Sequence, residues 1–137
     1  MASILRVNTL TDASSNNSIA MSFVAEGSAK AWTNFNGTGT IASRDSFNVS
    51  SLTDQATGQY DINFSSNMGN ANHCPTGDSN GYSTTDNFIS AAFSAIGTSN
   101  GSMTGNSTST TSLGSYNSGV AYVDSALIFV SVHGDLA

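Results

Sequence analysis

Apolar and polar residues alternate with period two over several short stretches, the pattern of strands that bury one face. Leu5, Val7 and Thr9 share one side of a short N-terminal strand, and Ile19, Met21 and Phe23 do the same in a second. Across Ala29–Phe35 the alternation sets Ala29, Ala31, Thr33 and Phe35 against Lys30, Trp32 and Asn34. Asn36-Gly37-Thr38-Gly39 then reads as a hairpin turn, since Asn and Gly tolerate positive φ. Ile41, Phe47 and Val49 occupy odd positions with Ser43 and Asp45 between them. A turn around Asp54–Gly58 leads into the most regular strand, in which Tyr60, Ile62 and Phe64 alternate with Asp61, Asn63 and Ser65.

The stretch Asn67–Ser83 carries the single proline and reads as a long loop. Phe88–Ile96 fits two patterns. Ile89, Ala92, Phe93 and Ile96 are spaced for a helix, with Asp86 or Asn87 as its cap and Gly97 as its stop, whereas Ile89, Ala91, Phe93 and Ala95 alternate. The β context and the short length favour a strand. Gly97–Gly119 is rich in Ser, Thr and Gly, but Thr108–Leu113 has good β-propensity and predicts a strand with its Ser and Thr outward. Val120–Val132 is the most apolar region. Its run Leu127-Ile128-Phe129-Val130 predicts burial on both faces, with a neighbouring subunit as the simplest cover for the second. Short strands, Gly/Asn turns and no long helix predict an all-β protein, an antiparallel β-sandwich of jelly-roll type assembled as a homotrimer. Residues 27–137 form the sandwich module and residues 1–26 an arm that docks elsewhere through Leu5, Val7 and Leu10.

Composition supports this picture and removes several functions. Of 137 residues only 9% are charged and 38% hydrophobic, so uncharged Ser, Thr, Asn and Gly must cover the outer surface. Disorder normally combines low hydrophobicity with high charge, which this chain lacks. Arg6, Lys30 and Arg44 are the only Lys or Arg residues against nine acids, for a net charge of −6. A nucleic-acid partner needs clustered cations on its protein, and so does an anionic membrane; neither partner is expected. Cys74 is the one cysteine, so no intrachain disulfide can form. No apolar run is long enough to span a membrane, and the N-terminus lacks the charged and apolar regions of a signal peptide.

Candidate chemistry is thin. Gly77-Asp78-Ser79-Asn80-Gly81 matches the nucleophile-elbow spacing, with His73 and His133 as bases on paper, but no strand-then-helix context is evident around it. In a chain this rich in Gly and Ser, a plain turn explains the match. His73-Cys74 lacks the further ligands of a metal site, although histidines near a three-fold axis could bind a metal as a symmetric set. Asp78, Asn80 and Asp86 lie in one segment but miss the calcium-loop spacing. Glu26 is the sole glutamate, and nothing raises the pKa of any Asp, so paired-carboxylate hydrolysis has no support. Gly37-Thr38-Gly39 has no lysine to make a phosphate loop. The expected set of catalytic residues, metal ligands and cofactors is therefore empty. Trp32, Tyr82 and Tyr116 are candidates for surface recognition of a sugar or protein, with core or interface packing the plainer role for Trp32. Phe47, Phe64, Phe129 and Val130 are candidates for the core or the trimer interface, which periodicity does not separate.

The run Ala29-Lys30-Ala31-Trp32-Thr33-Asn34-Phe35-Asn36-Gly37-Thr38-Gly39 resembles a block near the C-termini of tail-fibre proteins of tailed bacteriophages, notably marine and cyanobacterial phages. The likeness continues through Arg44-Asp45-Ser46-Phe47-Asn48-Val49-Ser50-Ser51 and Gly58-Gln59-Tyr60-Asp61-Ile62-Asn63-Phe64. Val132-His133-Gly134-Asp135 is similar to how such modules end, and Leu5-Arg6-Val7-Asn8-Thr9-Leu10-Thr11-Asp12 to their lead-in. The resemblance implies a virion protein made in the host cytoplasm, with a trimeric β-rich module that contacts a host-surface glycan or protein. It brings no catalytic residues. The short lead-in before the block implies docking on a tail adaptor, or alternatively on the major capsid protein as a decoration (cement or head-fibre) protein. A stand-alone carbohydrate-binding module is the expectation from a different class.

Overall fold

In the computed structural model, which describes residues 6–80, 105–116 and 121–137, the described residues form mostly antiparallel β-sheet with one short helix. Thr9–Thr11 (β1) and Ser18–Ala20 (β2) form a small hairpin. Its turn is ordered by the Asp12 carboxylate, which accepts from Asn17 Nδ2 at 2.7 Å and Asn16 N at 2.9 Å. These bonds favour the charged form and hold the Asp12 pKa below its ordinary value. The helix Met21–Gly27 (α1) follows, so Met21 and Phe23 do not continue a strand as their alternation predicted. Met21 and Val24, three apart, are the half-buried positions, and Met, Ala and Glu are good helix formers. Lys30 Nζ caps this helix from below: it donates to the carbonyls of Ala25 and Ser28, the latter at 2.7 Å, and to Ser28 Oγ at 2.9 Å. A cation at a helix C-terminus satisfies carbonyls that have no partner within the helix.

Ala29–Asn36 (β3) and Ala42–Phe47 (β4) form the predicted hairpin, with Gly39 at φ 63° in the turn. Asn36 braces that turn by accepting from Thr38 Oγ1 at 2.8 Å and donating to Thr38 O at 2.7 Å. Asn48 then breaks the run of odd apolar positions. With φ at 56°, it carries the chain out of β4 and into Val49–Ala56 (β5), which belongs to a different sheet. Its side chain holds the corner, donating to Lys30 O at 2.9 Å and Ser66 O at 3.1 Å while accepting from Ser66 N at 2.7 Å. A register shift after Val49 puts Leu52, not Ser51, beside Val49 on the core side, which hides β5 from a period-two search. Gln59–Phe64 (β6) returns after Gly58 at φ 64°.

Cys74–Asn80 (β7) is a strand, not the loop its composition predicted. It lies at the edge of its sheet, where a proline is tolerated, and Pro75, Gly77 and Ser79 pair with Val132, Val130 and Ile128; of the three only Ser79 is buried. Thr110–Gly114 (β8) forms as predicted, but Thr111 and Ser112 are buried rather than turned to solvent. Thr111 shares the core side with Leu113, while Ser112 donates to the buried Asp61 carboxylate at 2.5 Å. Leu127–His133 (β9) completes the four-stranded sheet β4-β3-β9-β7, beside the three-stranded sheet β5-β6-β8. Phe88–Ile96 lies outside the described residues.

Both larger sheets feed one core. Ala31 and Phe35 of β3, Ile128, Val130 and Val132 of β9, and Tyr60, Ile62, Phe64 and Leu113 of the other sheet are all buried together with Met68. Phe35 and Tyr60 meet edge to face across it, with ring centroids 5.3 Å apart.

Candidate functional site

β3 and β9 are the two inner strands of their sheet, and along Ala31–Phe35 and Ile128–Val132 each buries one face. Ala31, Thr33 and Phe35 point inward, as do Ile128, Val130 and Val132. The other face carries Trp32, 38% exposed, and Phe129, 41% exposed, with Phe47 of β4 at 52%. The doubly apolar run in β9 is therefore buried on one side only within the chain. Of the four residues expected in the core or an interface, Phe64 and Val130 are core, and Phe47 and Phe129 lie on this outer face.

The register brings the three aromatics together. Trp32 is the direct partner of Phe47 on one side and of Ser131 on the other, while Phe129 pairs with Asn34 one step along. Direct partners on a face stand about 5 Å apart at Cβ, and diagonal ones about 7–8 Å, within reach of ring against ring. Asn34, Asp45 and Asp78 border the patch through the same ladders. Arg44 is spent on the structure, donating to Ala126 O at 2.6 Å and Asn34 Oδ1 at 3.3 Å. Beyond Phe47 the surface runs into a cleft lined by Ala25, Ala29 and Leu136, with Lys30 and Asp135 at its sides.

The side of the three-stranded sheet away from the core is different in kind, and its Asp61 and Ser112 are buried. Gln55, Asp61, Asn63, Ser112 and Thr110 are linked there by side-chain hydrogen bonds, from Gln55 Nε2 to Asp61 Oδ2 at 2.5 Å and from Thr110 Oγ1 to Asn63 Oδ1 at 3.1 Å. Polar side chains that satisfy one another hold no contiguous apolar surface toward solvent, whereas clustered aromatics do. The arm adds to the contrast. Leu10 and Ile19 in the hairpin are exposed, Val7 precedes it exposed, Phe23 is 72% exposed, and no residue of α1 is buried. Leu5 lies outside the described residues.

The remaining candidates fall elsewhere. Ser79 sits within β7 and is buried, sharing hydrogen bonds in a hydroxyl chain with Ser115 at 3.2 Å, which reaches Ser125 at 2.8 Å. An elbow serine needs an exposed oxygen at a sharp turn, so this hydroxyl is placed for cohesion and not for attack. His73 is buried, not a solvated loop residue; its ring meets Phe64 edge-on at 5.4 Å, and Nε2 has no hydrogen-bond partner. Burial pushes its pKa below the ordinary value. Cys74 is exposed and directly opposite His133 in the ladder, and among the described residues no group of three or more His, Cys, Asp or Glu side chains could hold a metal. Asp78 accepts from Ser79 N at 2.7 Å, a local turn-like contact within β7, and Asp86 lies outside the described residues.

Tyr116 stacks on Tyr122, with centroids 4.3 Å apart, and burial raises its pKa to about 12. The pair braces the ends of β8 and the segment before β9 more than it offers a flat surface. Tyr82 lies outside the described residues. A polar junction that the sequence did not reveal joins the sheets: Tyr60 Oη contacts Gly37 O at 3.1 Å and Asp124 Oδ1 at 3.0 Å, and Gly58 N donates to the same carboxylate at 2.7 Å. Among the described residues, no helix is long and apolar enough to cross a membrane. No protein-family model, curated protein or solved structure matches the chain.

Proposed function

We propose that the chain is a structural module of a tailed-bacteriophage particle: a jelly-roll-like antiparallel sandwich that assembles as a homotrimer, attaches to a tail adaptor and meets the host surface through its polar loops. One observation carries the assembly part of this reading. The face built by Trp32, Phe47 and Phe129 is exposed in the isolated chain, while the opposite sheet satisfies its own polar side chains. Scattered exposed apolar residues need no explanation, but three adjacent aromatics on a rigid sheet mark a surface made to be covered. The particle part rests on the resemblance of residues 29–39, 44–51 and 58–64 to tail-fibre modules.

No catalytic step is proposed: Ser79, the nucleophile-elbow candidate, is buried within β7 and bonded to Ser115. Light scattering on the full chain at micromolar concentration tests assembly: three chain masses are expected, and one chain mass would overturn it. Antibody labelling of whole particles tests location, with tails expected to be decorated.

A second reading, a decoration protein on the major capsid protein, draws on the exposed apolar side chains of the arm, Leu10, Ile19 and Phe23. Labelling of heads instead of tails selects it. The carbohydrate-binding reading keeps one residue in an exposed setting, Trp32; saccharide binding lost in Trp32→Ala would favour it.

A further inference from the structure

Two unpartnered apolar surfaces occur in the same chain. One is the outer face with Trp32, Phe47 and Phe129; the other is the arm with Leu10, Ile19 and Phe23. A two-stranded hairpin and a seven-residue helix with no fully buried residue are held within the chain by hydrogen bonds at Asp12 and Lys30 but bury little apolar surface of their own. Covering an apolar surface would add the burial they lack.

From these two surfaces we infer that the arm of one copy lies across the aromatic face of the next, so that the oligomer of the proposed function is closed by arm exchange. The inference rests on that reading and adds the interface to it.

Within one chain α1 meets the edge of this face at the cleft that Ala25 and Phe47 share, and Phe23 does not cover the aromatics. The buried Lys30 fastens the last turn of α1 through Ala25 and Ser28, and Ser28 N is bonded to Val24 O at 3.2 Å. This clamp sets the direction in which the helix leaves β3. Phe23, just upstream of it, is 72% exposed although the cleft from Ala25 to Phe47 and Leu136 lies on the same chain. A neighbouring copy can approach that cleft and face without undoing the clamp.

The sizes agree. The fractional exposures of the three face aromatics amount to about 250 Å² of ring surface, and those of Val7, Leu10, Ile19 and Phe23 to somewhat more. One arm on one face would thus bury roughly 600 Å² of apolar surface, which is the apolar content of a specific interface at the small end of the range. Every copy would take part in two such junctions. An arm-on-face contact is also heterologous, and heterologous contacts close into rings when the rotation allows, as three-fold symmetry requires.

Cross-linking tests the geometry on full chains carrying Cys74→Ser. One tagged chain carries Ser22→Cys on α1, and a differently tagged chain carries Asp45→Cys on the face; the two are co-expressed and oxidised. Covalent pairs joining the two tags are expected to exceed same-tag pairs several-fold. An oligomer by light scattering with no mixed pairs, or with Asp45→Cys chains linked to each other, overturns the arm exchange while leaving assembly intact. A monomer overturns both it and the proposed assembly. A chain carrying both cysteines that links only to itself shows the arm closing on its own face and equally overturns it. As a second measurement, Phe23→Ser is expected to weaken association at least tenfold with the melting temperature of the dissociated chain little changed, because Phe23 is 72% exposed within its own chain. A change in that melting temperature with association unaltered would count against the inference.

Discussion

Trp32 and Phe47 are direct cross-strand partners whose side chains both stand on the solvent side of the sheet, while the next residue in β3, Thr33, turns into the core and bonds Asp45 O at 3.3 Å. One step of register thus separates the residues that make the fold from those left for a partner. Phe35 and Phe47 illustrate the division: same side chain, adjacent strands, opposite faces.

That division predicts unequal costs. Phe35→Ala should destabilise the chain by about 3–5 kcal/mol, since it empties a site closed by Tyr60 and Ile128. Phe47→Ala should change the stability of the dissociated chain by no more than about 0.5 kcal/mol. Urea unfolding at concentrations low enough to prevent association measures both, and equal losses would refute the assignment of faces.

Two turn glycines share positive φ but not surroundings. Gly39, at 63°, has open space where a Cβ would stand, whereas at Gly58, at 64°, a Cβ would lie 2.6 Å from Val123 N and 2.7 Å from Ser115 O. Gly39→Ala should cost about 1 kcal/mol for the backbone conformation alone. Gly58→Ala should cost at least about 2–3 kcal/mol more, or prevent folding, because backbone has to move. Thermal melts of the two variants check the order.

Tyr60 makes stability sensitive to alkali. Burial, above all, and the neighbouring Asp124 carboxylate push its pKa well above the ordinary 10. The folded state holds the phenol proton more tightly than the unfolded chain, so this stabilisation is complete below pH 10 and is lost as pH rises beyond it. Tyr60→Phe should flatten the fall in stability above pH 10, leaving the smaller share from Tyr116. It should also cost about 1–2 kcal/mol at neutral pH, because the single phenol proton that lies between Gly37 O and Asp124 Oδ1 is lost. Urea titrations at pH 7 and between pH 9.5 and 11 check both effects.

His73 acts at the acid end. Its pKa is lowered by burial, and its Nε2 has no partner, so the folded chain binds a proton there less readily than the unfolded chain. The associated stabilisation is present above pH 6.5 and is lost as pH falls below it toward the lowered value. His73→Phe keeps a ring against Phe64 and should reduce the drop in stability between pH 7.5 and pH 5. An unchanged drop, measured by thermal melts across that range, would place the proton elsewhere.

β3 and β6, whose alternation is unbroken, and β9, read from its continuous apolar run, were legible in the sequence, and so were the hairpin at Gly39 and the all-β class. β5 was obscured because its bulge moves Leu52 into phase with Val49. β7 was obscured because the residues that pair with Val132, Val130 and Ile128 are Pro75, Gly77 and Ser79; their strand character comes from pairing with β9 and not from their own propensity. In α1, the alternation of Ile19, Met21 and Phe23 competes with the three-residue spacing of Met21 and Val24, and the Lys30 cap that supports the helix is a tertiary feature. The aromatics of the outer face were visible as a group of core-or-interface candidates. Periodicity assigned Trp32 to the side opposite Phe35, but it could not say which of Phe47, Phe64 and Phe129 lay with it, because the corner at Asn48 moves the chain between sheets.

The central claim is that Trp32, Phe47 and Phe129 form a subunit interface, and the mass of the full chain in solution with and without that face addresses it most directly. Light scattering at micromolar concentration is predicted to give three chain masses for the natural chain and one for Phe47→Asp with Phe129→Asp, the latter keeping the circular dichroism of a folded β-protein. A natural chain that runs as a monomer, or a doubly substituted chain that still assembles, would contradict the account.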